Sequence, residues 1–228
     1  MLLKKWDDLP AKMKTPEVKK YYDELSKKKF SLVMKRFFDI ILATILLILL
    51  SPIMLVMMIL IKTGSEGPVF YRQERVTTYG KKFKIHKFRT MVVNADQIGS
   101  QVTVGRDPRI TKVGHFLRKY RLDEFPQVID VLQGTMTFVG TRPEVQLYVD
   151  AYTPAMMATL LLPAGITSEA SIKYKDEAKL LADAADVDQV YIEKVLPGKM
   201  QYNLTALEEF SVWNDFKTMI NTAIGVLK

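Results

Sequence analysis

The chain has 228 residues, 48% hydrophobic and 25% charged, which is enough for one domain with a real core and excludes a disordered protein. It has no cysteine and only two histidines, so a disulfide framework, a thiolate zinc site and a cysteine nucleophile are excluded. Any metal would sit on oxygen ligands. The net charge of +8 is unevenly spread: residues 1–39 hold 11 Lys and Arg against 6 Asp and Glu, residues 62–125 hold 14 against 6, and residues 126–228 hold 8 against 13. A basic front half points to polyanionic partners, either nucleic acid or an anionic membrane with phosphorylated ligands.

Residues 1–34 read as a basic amphipathic arm. Thr15-Pro16-Glu17 is a helix start, with an N-cap, proline at the first position and an acid in the first turn. Val18, Tyr21, Tyr22 and Leu25 then recur at helical spacing. Such a helix suits an anionic leaflet and equally suits packing on its own domain.

Ile40 to Ile61 is a run of 22 residues without a charge, about 33 Å as a straight helix and so about one bilayer core. It starts too late and runs too long for a cleavable signal peptide. Ser51-Pro52 sits at its middle, where proline removes a backbone donor and kinks or breaks a helix. A kinked span and a re-entrant helix-break-helix both fit the proline. The flanks favour the second, because Lys35 and Arg36 precede the run and Lys62, Arg72 and Arg75 follow it. One crossing cannot keep both flanks on the positive-inside face, whereas a hairpin over 35–62 can.

Residues 63–228 form the remaining domain. Val69–Arg75 and Lys81–Arg89 read as the strands of a basic hairpin around a turn at Thr77–Gly80. Helices are expected over Thr90–Ile98, near Val113–Tyr120, and from Phe125 to Leu132 with Gly134 as the stop. Met136–Val139 reads as extended, Glu144–Leu162 as mainly helical, and parts of Lys175–Leu196 and Val212–Leu227 as helical. The fold class is therefore α+β, mostly helical with a short β-hairpin, anchored to a membrane by one re-entrant helix-break-helix. No Walker or Rossmann phosphate loop is visible.

Asp123-Glu124 opens the Phe125–Leu132 segment, where unpaired backbone N–H groups favour ionised carboxylates. Helix capping is the common use of such a pair. Here Lys87, Arg89, Arg118, Arg121 and Arg142 flank it in sequence, and two acids among several arginines are the parts of a magnesium-diphosphate site.

Six strings then occur in order: K-R-F-F-D (35–39), the apolar run with Ser51-Pro52, G-P-V-F-Y-R-Q-E-R (67–75), K-F-R-T-M (87–91), L-D-E-F-P-Q (122–127) and F-V-G-T-R-P-E (138–144). L-P-G-K (196–199) and W-N-D-F-K (213–217) follow. In this the chain resembles the bacterial sugar transferase family, the small monotopic phosphoglycosyl transferases, from about Lys35 to the C-terminus. The resemblance implies an enzyme that moves a sugar-1-phosphate from a UDP-sugar to polyprenol (undecaprenyl) phosphate and releases UMP. It implies the cytoplasmic face of a bacterial inner membrane, and downstream glycosyltransferases as users of the product. It also implies Asp123 as covalent nucleophile, Glu124 as a residue that holds Mg²⁺ or manages protons, and Lys87, Arg89 and Arg142 as substrate contacts. Arg118 and Arg121 join them as nearby cations. Residues 63–228 would be the cytoplasmic catalytic domain, and the large extra N-terminal membrane domain of some relatives is not expected.

The chain departs from the family pattern at Thr141, where proline is usual, and at Pro163–Ser168, where R-P-G-x-T-G is usual. Glu169–Glu177 replaces a Gly-Arg-Asn-like stretch, which bears on sugar choice and nucleotide contacts. The alternative is a non-enzymatic, membrane-anchored basic scaffold, which explains the charge and the anchor but not Asp123-Glu124 or Arg142-Pro143. A nucleic-acid module is disfavoured by the acidic C-terminal third and the apolar run.

Overall fold

The computed structural model describes residues 3–95, 107–181, 184 and 186–227. In chain order its elements are α1 (Pro16–Lys27), α2 (Lys29–Gly64), β1 (Phe70–Tyr71), β2 (Glu74–Val76), β3 (Lys82–Lys84), β4 (Lys87–Phe88), α3 (Lys112–Lys119), α4 (Gln127–Gln133), β5 (Met136–Val139), α5 (Gln146–Val149), β6 (Ala164–Thr167), α6 (Glu169–Lys173), α7 (Glu177–Leu180), α8 (Val187–Val190), α9 (Leu196–Glu208) and α10 (Val212–Leu227). The α+β, mostly helical reading holds.

Helix α1 begins as its residues dictate: the Thr15 hydroxyl accepts from the Val18 N–H at 3.3 Å. Its apolar stripe faces the protein. Val18 and Leu25 are fully buried in a cluster with Leu160, Leu161 and Phe210. Lys20 pairs with Glu208 at 2.6 Å, and the Lys28 ammonium donates to the Glu208 and Phe210 carbonyls, both at 3.0 Å, where α9 ends. Of the two placements open to the arm, packing on its own domain is the one found.

Helix α2 has 36 residues and is the one helix, among the described residues, long and apolar enough to cross a membrane. Ser51 and Pro52 lie inside this single helical element, so no break separates two helices there. The Ser51 hydroxyl donates to the Ile48 carbonyl at 2.8 Å, which satisfies it within the helix. Ile48, Leu49, Leu55, Val56 and Ile59 are exposed along the middle and far part. Yet both ends of α2 rest on one body. Ala43 is buried in a cluster with Val128, Val131 and Met136, while Met54, Met57 and Ile61 share one with Phe88 and Leu117.

The K-R-F-F-D string is the clamp at the near end. Lys35 and Asp215 of α10 form a buried ion pair at 2.6 Å. Arg36 donates to the Val131 and Leu132 carbonyls at 2.6 and 3.0 Å, at the end of α4. Asp39 accepts from the Thr137 hydroxyl at 2.6 Å on β5. Each buried charge is thus partnered, as burial demands.

The expected basic hairpin is present as two antiparallel pairings, β1 with β4 (Phe70 opposite Phe88) and β2 with β3 (Arg75 opposite Phe83). Tyr79 and Gly80 close the turn with φ of 59° and 74°. Between the pairings, the His86 N–H and Nδ1 lie 2.9 and 2.7 Å from the buried Asp130 carboxylate, which fastens the hairpin to α4. Strands β5 and β6 run parallel, with Thr137 opposite Gly165. A Cβ at Gly165 would sit 2.2 Å from the Gly140 nitrogen, so only glycine admits this approach.

Three expectations need correction. Thr90–Ala95 is not an α-helix, because Met91 bridges to Ile110; residues 96–98 of that expected helix lie outside the described residues. Glu144–Leu162 is not one helix but α5 and a 3₁₀ stretch at Met156–Leu161, with turns around Pro154 between them. Strand β6 and helix α9 were not anticipated as elements.

Candidate active site

Asp123 and Glu124 do not open α4. They lie in a separate 3₁₀ turn, Leu122–Glu124, reached through Arg121 in the left-handed region at φ 53°. Pro126 and then α4 follow it. The helix-end argument for ionised carboxylates therefore does not apply to Asp123. Its surroundings decide instead.

Glu124 is the hub. Its Oε1 accepts from the Lys87 ammonium at 3.0 Å and from the Arg142 guanidinium, and Arg142 Nη1 reaches Oε2 at 3.3 Å. Lys87 comes from β4, and Arg142 from the loop after β5. The hairpin and the parallel pair thus deliver one cation each to the same carboxylate. Burial alone would raise the Glu124 pKa, but Arg142 and Lys87 together hold it well below the usual carboxylate range. Arg142 is in turn raised by Glu124. Lys87 is lowered by burial, with Glu124 opposing.

Asp123 behaves differently. It borders a cavity of about 550 Å³. Lys87, Arg118 and Arg142 act on it through space. Burial raises its pKa above the ordinary aspartate value, Lys87 pulls the other way, and Glu124 adds to the rise. Among the described residues the cavity wall carries six cations, Arg72, Arg75, Lys87, Arg89, Arg109 and Arg118, and one acid, Asp123. Its size is that of a small-molecule site and its charge selects an anion.

Of the residues expected from sequence, Lys87, Asp123, Glu124 and Arg142 come together. Arg118 lines the cavity beside Asp123. Arg89 also lines it, but its guanidinium is committed to the Ser65 carbonyl at 2.8 Å and to the Glu66 carbonyl, where it holds the chain leaving α2. Arg121 is exposed and its contribution is the backbone turn. Arg72, Arg75 and Arg109 were missed as wall residues. Arg72 and Arg75 stood in the Y-R-Q-E-R string, and their placement on the basic hairpin was the signal. Arg109 pairs with Asp107 at 2.6 Å.

No cluster of three or more metal-ligating side chains occurs among the described residues. Magnesium asks for less, since one or two carboxylates and substrate phosphates suffice. Asp123 at the cavity fits that role. Glu124 fits it less well, because its oxygens already serve Lys87 and Arg142.

Residues 30–228 match the bacterial sugar transferase family, and the chain belongs to it. The chain is similar to a UDP-N-acetylgalactosamine-undecaprenyl-phosphate N-acetylgalactosaminephosphotransferase of Aeromonas hydrophila, 36% identical over 172 residues, covering 74% of this chain and 38% of that protein. It is also similar to a UDP-glucose:undecaprenyl-phosphate glucose-1-phosphate transferase of Escherichia coli (strain K12), 37% identical over 169 residues, covering 72% of this chain and 34% of that one. The matched region is thus just over a third of each relative's length.

The raised pKa of Asp123 has a measurable consequence. Its folded-state value lies above its unfolded value, so ionisation costs the folded state stability. That cost is absent below the ordinary aspartate pKa and reaches full size as pH rises through the folded-state pKa. Asp123→Asn is therefore expected to raise the thermal midpoint at pH 7, with the gain shrinking as pH falls toward the ordinary value. Equal midpoints at pH 7 would refute the burial argument.

Proposed function

We propose that this chain transfers a sugar-1-phosphate from a UDP-sugar to polyprenol (undecaprenyl) phosphate and releases UMP, with Asp123 as covalent nucleophile. The observation that carries the reading is the division between the two acids. Glu124 is committed to Lys87 and Arg142, while Asp123 faces a cationic cavity large enough for a nucleotide sugar.

An Asp123 carboxylate oxygen attacks the phosphorus that bears the sugar. The bond from that phosphorus to the bridging oxygen breaks, and UMP leaves with the electron pair. A phosphate oxygen of the lipid then attacks the same phosphorus and restores the Asp123 carboxylate. The product is a sugar on a polyprenyl diphosphate, which a downstream glycosyltransferase would extend. A carboxylate approaching a diphosphate meets like-charge repulsion, which the wall cations and Arg142 reduce. The raised pKa of Asp123 makes it a better nucleophile than an ordinary aspartate once ionised. Asp123 would be the residue that holds Mg²⁺ here, and the ion would supply further charge neutralisation.

The anchor fits this chemistry, because one substrate is embedded in lipid. We read α2 as re-entrant through a bend at Pro52 rather than a break: a helix that crossed a bilayer would carry its far end away from the body, whereas both ends of α2 rest on it. The catalytic part would then face the cytoplasm at an inner membrane, with its basic surface against anionic headgroups.

The deciding measurement is UMP release from a UDP-sugar panel with polyprenol phosphate, with Mg²⁺ and with excess chelator. Turnover with Mg²⁺ and its loss on chelation are expected; full activity in chelator would remove the metal. With labelled UDP-sugar and no lipid, rapid quench should trap phosphosugar on the peptide that contains Asp123. Asp123→Asn should lower turnover by at least about 10³-fold, the scale lost when a nucleophile is removed. An adduct on another residue would overturn the assignment.

Topology has its own test, made clean by the absence of native cysteine. Cysteines placed at Lys4 and Gly80 are expected to label from the same side of inner-membrane vesicles. Labelling from opposite sides would establish a crossing helix.

A further inference from the structure

A second group of buried ionisable side chains lies behind Arg142, and the chemistry above does not use it. Glu144 follows Arg142 by two residues on the same loop and is buried, as are Tyr191 and Lys199. The Tyr191 hydroxyl donates to Glu144 Oε1 at 2.6 Å. The Lys199 ammonium donates to the Tyr191 hydroxyl at 2.8 Å and to Glu177 Oε2 at 3.1 Å, and lies 3.6 Å from Glu144 Oε1. Lys199 belongs to the L-P-G-K string at the start of α9 and has its ammonium 5.0 Å from the Tyr191 ring centre.

The charges explain the arrangement. Arg142 has Glu124 on one side, and Glu144 and Glu177 act on it from further away. In a low-dielectric setting two uncompensated carboxylates would compete for its guanidinium. Lys199 is the cation that contacts both of them. The backbone supports the same loop separately: the Val76 N–H donates to the Glu144 carbonyl at 2.9 Å, and the Gly165 N–H to the Thr141 carbonyl at 2.8 Å. The loop backbone is therefore held without Lys199, and what Lys199 sets is the balance of charge around the arginine.

We propose that Lys199 is a positioning residue which, by neutralising Glu144 and Glu177 and bracing Tyr191, keeps Arg142 on Glu124 and available to the substrate diphosphate. This rests on the phosphosugar-transfer reading. Lys199 touches no substrate in this scheme; it acts through Arg142.

The test is a charge-rescue series in the full-length chain, read as UMP release with steady-state kcat and KM. Lys199→Met keeps the aliphatic stem and removes the charge; kcat/KM is expected to fall at least tenfold. Lys199→Arg should stay within threefold of wild type, as should Glu177→Gln alone. The double variant Lys199→Met with Glu177→Gln should recover at least threefold over Lys199→Met, because one competing carboxylate is gone. A merely structural lysine would show no such recovery. Lys199→Met within threefold of wild type, or a double variant no better than the single, would overturn the proposal. If Lys199→Met does not fold, Lys199→Gln carries the same two comparisons. If the wild-type chain turns over no UDP-sugar in the panel, the transferase reading fails by itself. The network is then decided by thermal midpoints: Glu177→Gln must offset part of the loss caused by Lys199→Met, and strict additivity overturns it.

Discussion

The largely buried carboxylate of Glu124, shared between Lys87 and Arg142, is the constraint on which the rest of the site depends. A carboxylate removed from water must be paired and hydrogen-bonded, or the folded state loses several kcal/mol or the group takes up a proton. Here its partners come from positions 37 residues earlier and 18 residues later in the chain. They arrive on a hairpin strand and on the loop after a parallel strand, which also touch each other directly where the Val76 N–H donates to the Glu144 carbonyl. Satisfying one charge thus ties the acid-bearing turn to both of them. It also sets Asp123 at the edge of the cationic cavity, one residue from the hub.

The same logic reaches toward the membrane. Lys35, Arg36 and Asp39 attach the base of α2 to α10, to the end of α4 and to β5. Helix α4 follows the Asp123-Glu124 turn, and β5 leads to Arg142. The apolar helix is therefore joined to the two elements that hold the acids and their arginine. In the proposed reaction, a flexible tether would let a lipid-embedded acceptor and Asp123 drift relative to each other. A clamp of one ion pair and several hydrogen bonds fixes the depth of the cavity relative to the helix, which is the positioning that the proposed reaction at a headgroup demands.

Much of this was legible in the residues. The N-cap at Thr15, the stop at Gly134, the turn at Tyr79-Gly80 and the paired strands around it follow from local rules that tertiary packing did not override. Lys87, Asp123, Glu124 and Arg142 were found through motif spacing, and the structure brings them together. What stayed hidden is non-local. Strand β6 shows little strand pattern, because Ala164 and Gly165 are there to let β5 approach closely, and only the parallel pairing reveals why. Arg89 lines the cavity, as a substrate contact would, and its guanidinium also serves carbonyls at the end of α2, which only the folded structure reveals. Arg72 and Arg75 became wall residues only once the hairpin had folded back. The dipole argument for Asp123 failed because Pro126 and the left-handed Arg121 set the acids in their own turn ahead of α4.

That failure explains how two adjacent acids can do different work. In one regular helix, neighbouring carboxylates near the first turn would share a similar field. A 3₁₀ turn entered through a left-handed residue sends the second side chain inward to two cations and leaves the first at the cavity rim. Burial raises both, but at Glu124 the charges of Arg142 and Lys87, together with the hydrogen bonds they donate, outweigh the desolvation. Asp123 gains through-space attraction alone, and desolvation prevails. One acid is thus stabilised as an anion and organises the cations. For the other, burial works against the charge that the proposed nucleophile needs. Proximity in sequence and divergence in environment thus give two adjacent acids different settings, and on that difference the proposed division into scaffold and nucleophile rests.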